Sequence, residues 1–248
     1  MKLLLTIILS SSLLTTFGQS NIETELAKIK ADIKKNLIYG HKTYHESIVD
    51  IDNDGDNDYL FLSERSESKD IQVFINNNNH LEKQIEEFCH YYSLYNNGNQ
   101  KRLSVIFRGC CGDHYSTSNK VYDFEKDKAV LIENYSEFNE MIVPKFFLDS
   151  PYQVTIINND YNLRYIPNIE KVEEREYSKL EKGTNIIATL QSNTSAKVLS
   201  EIVEDENRKW LYVEIDPNEL SEKKSDVSLF NKEQKTRGWI SGKFVRKK

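Results

Sequence analysis

The sequence predicts a mostly β protein that carries one helix at its N-terminal end, an α+β chain built in two parts. Three observations lead to this fold class. Apolar residues at helical spacing follow a short N-terminal leader. Short runs rich in β-branched and aromatic residues, separated by polar turns, recur from residue 41 onward. An aspartate-rich loop joins the first two of these runs. The 248 residues suffice for two small domains, and we place the boundary near residues 149–151.

Residues 1–18 have the pattern of a secretory signal peptide. Lys2 supplies the positive start, an apolar run follows over residues 3–14, and small or polar residues end at Gly18 and Gln19. The run is shorter than the roughly 20 apolar residues that cross a membrane. No later stretch is long enough to do so. We therefore expect an exported protein, periplasmic or secreted, without a membrane span.

The charge balance argues against nucleic acid as a partner. The chain has 39 acidic and 33 basic residues, a net charge of −6. A general nucleic-acid binder depends on a basic face for its affinity. The basic C-terminal residues 243–248 are too few to supply one and are typical of a solvated tail.

The first element is predicted to be a helix. Apolar residues recur at spacings of four, three, four and four, which places them on one helical face. They are Ile22, Leu26, Ile29, Ile33 and Leu37. Ser20 and Glu23 form a capping-box pattern, and Gly40 is a natural stop. This face either binds a partner or, more simply, packs on its own domain.

The strands of the first domain, residues 19–150, follow from local composition. Residues 48–51 lead into the aspartate loop and residues 59–62 lead out of it. Further strands are predicted at 71–75, 103–107, 121–124 and 129–132. The last two are joined by residues 125–128, a turn of hairpin length.

The loop reads D-I-D-N-D-G-D-N-D, with aspartate at five alternate positions of nine. Holding so many carboxylates together is costly unless a cation neutralises them, and Ca²⁺ accepts an all-oxygen cage most readily. With Asp50 as position one, Gly55 makes the sharp turn and Asp56 offers its backbone carbonyl. Phe61 stands where a helix–loop–helix calcium site has its bidentate Glu, so we expect a strand–loop–strand site with a Kd of roughly 10⁻⁴–10⁻³ M. The predicted ligands are Asp50, Asp52, Asp54, Asp56 and Asp58.

Residues 48–62, I-V-D-I-D-N-D-G-D-N-D-Y-L-F-L, followed by I-Q-V-F-I-N-N-N, resemble one FG-GAP or VCBS-type repeat. The resemblance covers about residues 48–81 and implies the calcium loop. Such repeats usually build β-propellers, which need at least four blades. Because no second convincing copy is present, only the metal loop is carried over.

Three cysteines offer a disulfide, which export permits. Adjacent cysteines pair only through a strained ring, so the expected bridge joins Cys89 to Cys110 or Cys111. Two sharper hypotheses remain. Cys111 and His114 could be a thiol nucleophile and its base. A zinc ion could instead be held by Cys89, His90, Cys110, Cys111 and His114. Adjacent cysteines are a poor chelating pair for that metal.

The second domain, residues 151–248, is predicted to be a small β-barrel of short strands. The segments Y-N-L-R-Y-I-P-N (161–168), N-I-I-A-T-L (185–190), A-K-V-L-S (196–200), W-L-Y-V (210–213) and G-W-I-S-G-K-F-V (238–245) occur in this order. This order resembles the bacterial SH3 (SH3b) domain. Two long insertions, residues 170–184 and 216–235, depart from that family. The resemblance implies an SH3-like barrel.

An aromatic groove is one possible binding site in this domain. Such a groove, built from Trp210, Trp239, Tyr161 and Tyr165, could hold a peptide or glycopeptide, with Tyr161, Tyr165 and Trp239 as the expected ligand-binding residues. Alternatively, Trp210 lies in the core and Trp239 closes the barrel.

The sequence favours an exported, non-enzymatic binding protein that holds Ca²⁺ in its first domain. Its expected partner is a cell-wall peptide or an envelope protein. An inhibitor of one envelope protein is the alternative, and a cell-wall hydrolase accessory that uses Cys111 and His114 is a third hypothesis.

Overall fold

A computed structural model describes most of the chain. The described residues are 21–37, 43–64, 67–108, 116–138, 141–169, 184–205, 208–223 and 233–248. They form one α-helix, sixteen strands and two short 3-10 helices. The mostly β fold with an N-terminal helix is therefore confirmed. None of the described helices is long and apolar enough to cross a membrane.

The chain divides into two compact units. The first contains residues 1–106 and 121–132, and the second contains residues 107–120 and 133–248. The boundary that the sequence suggested near residues 149–151 lies within the second unit. Three long strands contribute residues to both units, namely Gln100–Arg108, Ser116–Glu125 and Lys128–Phe138.

A four-stranded antiparallel sheet, in the order β1-β2-β3-β4, forms the centre of the first unit. Its strands are β1 (Thr43–Val49), β2 (Asp58–Glu64), β3 (Lys69–Asn76) and β4 (Leu81–Cys89). Strand β2 is buried on both faces. Because side chains alternate along a strand, Tyr59 and Phe61 face one way, and Leu60 and Leu62 face the other.

Helix α1, residues 21–37, covers the first of these faces. Ile33 is buried among Tyr59, Phe61, Phe74 and Leu81. Ile22, Leu26 and Ile29 of the same stripe pack beside it. The simpler interpretation of the stripe, packing on its own domain, is thus confirmed. The capping residues Ser20 and Gly40 lie outside the described residues.

The opposite face of the sheet packs against the main core of the first unit. Leu60, Leu62, Ile71 and Val73 pack there with Ile51 of the loop. Cys89, Leu103, Val105 and Phe124 complete this core. Ile51 is fully buried, so an apolar side chain fixes the acidic loop to the core from within.

Two hairpins follow in sequence. Their strands are β5 (Tyr91–Asn97), β6 (Gln100–Arg108), β7 (Ser116–Glu125) and β8 (Lys128–Phe138). Gly98, at φ +62°, makes the first turn, and Asp127, at φ +62°, makes the second. A left-handed residue at each tip suits a tight hairpin. Strands β4 and β5 were not among the sequence predictions.

The second unit contains the strands β9 (Tyr152–Ile156), β10 (Tyr161–Arg164), β11 (Ile186–Leu190), β12 (Ser195–Asp205), β13 (Arg208–Ile215), β14 (Leu220–Lys223), β15 (Lys235–Ser241) and β16 (Val245–Lys247). They pair in the order β16-β9-β12-β13-β15, with β10 joining β15 to β11 and β11 pairing β14. Their apolar side chains form a main core and a second, smaller buried cluster. The second predicted insertion contains a 3-10 helix, Pro217–Glu219, and strand β14. The first insertion is almost wholly outside the described residues.

Close packing explains the glycine of the G-W pair on β15. A Cβ atom at Gly238 would lie 2.7 Å from Cδ1 of Leu163, a fully buried core residue. Strand β10 therefore approaches β15 more closely than any larger residue at position 238 permits.

Candidate metal centre

The aspartate loop connects β1 to β2, whose last and first residues, Val49 and Asp58, are directly paired. The loop must therefore turn back within eight residues. Asn53, at φ +63°, and Gly55, at φ +99°, provide the left-handed conformations that this turn requires. The strand–loop–strand arrangement expected from the sequence is what the structure has.

The loop amides hold the acidic side chains in place. The N–H of Asp54 donates to Oδ1 of Asp50 at 3.1 Å, and the N–H of Gly55 donates to its Oδ2 at 3.2 Å. The N–H of Asp56 donates to Oδ1 of Asp54 at 3.0 Å. These bonds turn the carboxylates inward, toward one another.

Asp58 is the most deeply buried of the acidic residues, with no exposed surface. Its Oδ2 accepts from the N–H of Ile51 at 2.6 Å, and its Oδ1 accepts from the N–H of Asn76 at 2.8 Å. Burial raises the pKa of Asp58, and these two hydrogen bonds offset the rise only in part. The two hydrogen bonds of Asp58 thus connect the loop to β3, but the buried carboxylate charge is itself unfavourable.

Two groups of three carboxylates could hold a cation, and they share Asp52. In each group the ligand oxygens lie within 4.8 Å of one another. The first group is Asp50, Asp52 and Asp58, and the second is Asp52, Asp54 and Asp127. Four of the five predicted ligands are therefore brought together.

Asp127 is the residue that sequence reasoning missed. It stands at the tip of the β7–β8 turn, and its N–H donates to Oδ2 of Asp52 at 2.7 Å. The sequence identified that turn but offered no sign that it meets a loop 75 residues earlier. Asp127 supplies a carboxylate from outside the loop. Phe61, which replaces the usual glutamate, is buried against Phe74.

Asp56 has a different environment from the one expected. The sequence assigned it a backbone carbonyl, but its carboxylate Oδ1 is buried and has no hydrogen-bond partner among the described residues. Burial, with repulsion from Asp54, Asp58 and Asp52, raises the pKa of Asp56 to about 7. A buried acceptor without a partner is costly, and a cation bound in the loop would satisfy it.

Lys101 provides a positive charge beside the loop, but it does not neutralise the carboxylates directly. Its Nζ donates to the backbone oxygen of Asp50 at 2.6 Å and to Oδ1 of Asn53 at 2.8 Å. The carboxylate oxygens therefore remain available to a hard divalent cation, which prefers an all-oxygen donor set.

The cysteine hypotheses meet a buried thiol. Cys89 is a free cysteine without exposed surface, so the bridge expected from it is not formed. Burial raises the pKa of its thiol to about 11, which keeps it protonated and unreactive near neutral pH. Cys110, Cys111 and His114 lie outside the described residues, and so does any nucleophile or zinc site built on them.

The aromatic residues proposed as a groove are not all open to solvent. Trp239 is fully buried, and its indole N–H donates to the backbone oxygen of Ile142 at 2.6 Å. The N–H of Ile142 donates in turn to the backbone oxygen of Tyr165 at 3.0 Å. Tyr161 is partly buried, and its hydroxyl donates to the backbone oxygen of Ser241 at 2.6 Å. Trp210 is buried as well.

Among known proteins, no family model matches this chain, and no curated protein or solved structure matches it either.

Proposed function

We propose that this chain is an exported calcium-binding protein whose C-terminal unit is an SH3-like module for a cell-wall peptide or an envelope protein. One observation supports calcium binding most directly. Two sets of three aspartates, which have Asp52 in common, lie beside Oδ1 of Asp56, a buried oxygen without a hydrogen-bond partner among the described residues. Ca²⁺ fits better than Mg²⁺ because it takes six to eight oxygens in flexible geometry, whereas Mg²⁺ demands a near-ideal octahedron.

The ion would act on the fold of the first unit. It would neutralise the acidic loop and join the loop to the β7–β8 turn through Asp52 and Asp127. Binding energy of this kind adds to folding stability as RT ln(1 + [Ca²⁺]/Kd). At a hundredfold excess over Kd the gain is about 2.7 kcal/mol. Calcium is thus proposed as a structural ion that rigidifies this unit.

A calorimetric Ca²⁺ titration tests the site. We expect the wild type to bind with a Kd of roughly 10⁻⁴–10⁻³ M. Asp127→Asn should weaken binding by about tenfold, because it removes one charged ligand. Glu125→Gln is the matched control from the same turn. Glu125 forms an ion pair with Lys128 at the surface, and its replacement should leave the affinity unchanged. Absence of binding heat in the wild type, with a Tm indifferent to EGTA, would refute the calcium site.

The raised pKa of Asp56 gives the site a pH dependence. Because the folded-state pKa of about 7 exceeds the unfolded value, the calcium-free protein has this residue's full contribution to stability below about pH 4. That contribution is lost as the pH rises through 7. Ca²⁺ must displace the proton, so its affinity should fall by about tenfold between pH 8 and pH 6.

The Asp56→Asn variant separates this effect from other titrations. Without the charge, the calcium-free variant should melt at a higher temperature than the wild type at pH 8. Its weaker Ca²⁺ binding should show little change between pH 6 and pH 8. An equally steep change in the variant would mean that a different group titrates.

The binding role of the second unit is supported by its short antiparallel strands around a buried main core, the arrangement expected of the SH3-like module proposed for it. A pull-down of the full chain on peptidoglycan sacculi, with and without EGTA, tests the wall as partner. Retention is the expected result. If sacculi retain nothing in either condition and the chain co-purifies with one envelope protein, the interaction-protein alternative replaces it. Exposed apolar side chains between residues 142 and 147 favour that alternative, since such patches mark protein interfaces.

A further inference from the structure

A segment of the second unit, residues 141–148, crosses the buried tryptophans without forming a helix or strand. We call it the strap. It reads M-I-V-P-K-F-F-L. The residues beneath it, which we call the strap site, contribute both backbone and side-chain groups. They are Tyr165, Leu199, Ser200, Tyr212 and Trp239.

The strap site holds the strap through the strap's own backbone. The N–H and the C=O of Ile142 are both bonded, to the oxygen of Tyr165 and the indole of Trp239. Farther along, the hydroxyl of Ser200 donates to the oxygen of Phe146 at 2.7 Å. The N–H of Leu148 donates to the oxygen of Leu199 at 2.8 Å. Main-chain hydrogen bonds of this kind supply affinity when a protein holds an extended peptide by strand addition.

The side chains of the strap contribute less to this contact than the backbone does. Pro144 is buried, and Met141 and Leu148 are partly buried against the core. Phe146 is 83% exposed and Phe147 is 52% exposed, although Phe147 meets the ring of Tyr212 edge-on. Ile142 and Val143 are exposed as well. The exposed side chains of the strap therefore add little hydrophobic stabilisation to its contact with the strap site.

The side chains beneath the strap must be covered by a peptide segment to stay out of water. Leu199, Trp210, Tyr212 and Trp239 form a buried aromatic cluster. Without the strap, the rings would be exposed and the indole N–H of Trp239 would lose its carbonyl. An aromatic surface with one hydrogen-bond donor, here the indole N–H of Trp239, is suited to extended, proline-containing peptides.

We propose that the strap is a built-in occupant of a peptide-binding site, and that an extended apolar peptide segment of a partner protein takes its place. The inference rests on the proposed binding role of this unit and specifies its ligand. The partner segment needs a residue whose N–H and C=O are both free, as in Ile142, with a proline or small apolar residue shortly after it. The strap competes for the site intramolecularly and so keeps the affinity for partners low.

The test uses the full chain with residues 142–147 replaced by a Gly-Ser repeat. The probe is a synthetic peptide of the strap sequence, and a scrambled peptide is its control. Because the only two Trp residues lie under the strap, their emission reports occupancy. We expect the strap-replaced variant to bind the probe at least tenfold more tightly than the wild type. Adding Ser200→Ala should weaken that binding severalfold.

Two outcomes would overturn the proposal: a folded strap-replaced variant that does not bind the probe, or one that binds the scrambled peptide equally well. If that variant fails to fold, the Pro144→Ala variant is used instead. Because its strap is held less firmly, this variant must bind the probe more tightly than the wild type does. Soluble cell-wall fragments form a separate arm. If these fragments change the tryptophan emission and the peptide probe shows no specific binding, the peptide ligand would be replaced by a wall ligand. Probe binding without retention on sacculi would instead remove the cell-wall role and leave this site intact.

Discussion

Replacing Asp58 with alanine is expected to destabilise the protein by about 3 kcal/mol even when EGTA has removed calcium. The carboxylate accepts from the amides of Ile51 and Asn76 in a place without solvent. Each buried donor left without a partner costs about 1–3 kcal/mol. Removing a buried charge returns part of this sum, because burial raises the pKa of Asp58. Urea unfolding followed by far-UV circular dichroism measures the difference.

Two further variants divide the effect into its structural and calcium-dependent parts. Asp58→Asn keeps one acceptor oxygen without the charge, so its cost in EGTA should be smaller, about 1 kcal/mol. Asp54 is exposed, and Asp54→Ala should change the stability mainly when calcium is present. If Asp54→Ala and Asp58→Ala were equally destabilising in EGTA, the hydrogen bonds of Asp58 would not be what anchors the loop.

Local patterns were sufficient to predict the elements that carry their own signal. The spacing of four, three, four and four from Ile22 to Leu37 predicted helix α1, and the runs beside the aspartate loop predicted β1 and β2. Strand β4 shows the limit of this reasoning. Its buried residues Leu81, Ile85 and Cys89 recur every fourth position, the spacing of a helix face. Pairing with β3, in which the register shifts so that Gln84 of β4 is the extra residue opposite Val73 and Phe74, makes the segment a strand.

The candidate metal centre was also predictable from a local pattern, but only for the residues that belong to that pattern. Regular spacing within nine residues pointed to Asp50, Asp52, Asp54 and Asp58, because the loop itself turns their carboxylates inward. Asp127 joins them only because a separate hairpin folds against the loop, and one sequence contains no local sign of that meeting. The strap escaped prediction similarly, since its partners lie on β12, β13 and β15.

Replacing Arg237 with methionine is expected to cost the second unit about 3 kcal/mol or more, because it leaves a buried carboxylate poorly neutralised. Arg237 and Glu214 are both buried, and the Nε and Nη2 atoms of Arg237 donate to Oε2 of Glu214 at 3.0 and 2.8 Å. The guanidinium also stacks 3.3 Å over the ring of Tyr135. Both tryptophans belong to this unit, so urea unfolding followed by their emission measures the loss.

The charge of Glu214 explains why a single replacement is worse than two. Burial raises the pKa of Glu214, but Arg237 and Lys235 outweigh it and hold the pKa below its usual value. The pair therefore stabilises the fold above the unfolded-state pKa of Glu214, and this contribution is lost as the pH falls through the lowered value. Arg237→Met combined with Glu214→Leu removes both charges and should recover most of the stability. Lys235→Ala is the control: Lys235 is largely exposed, so the expected loss is at most about 1 kcal/mol. A double variant no more stable than Arg237→Met alone would show that packing on Tyr135, and not the ion pair, is what position 237 contributes.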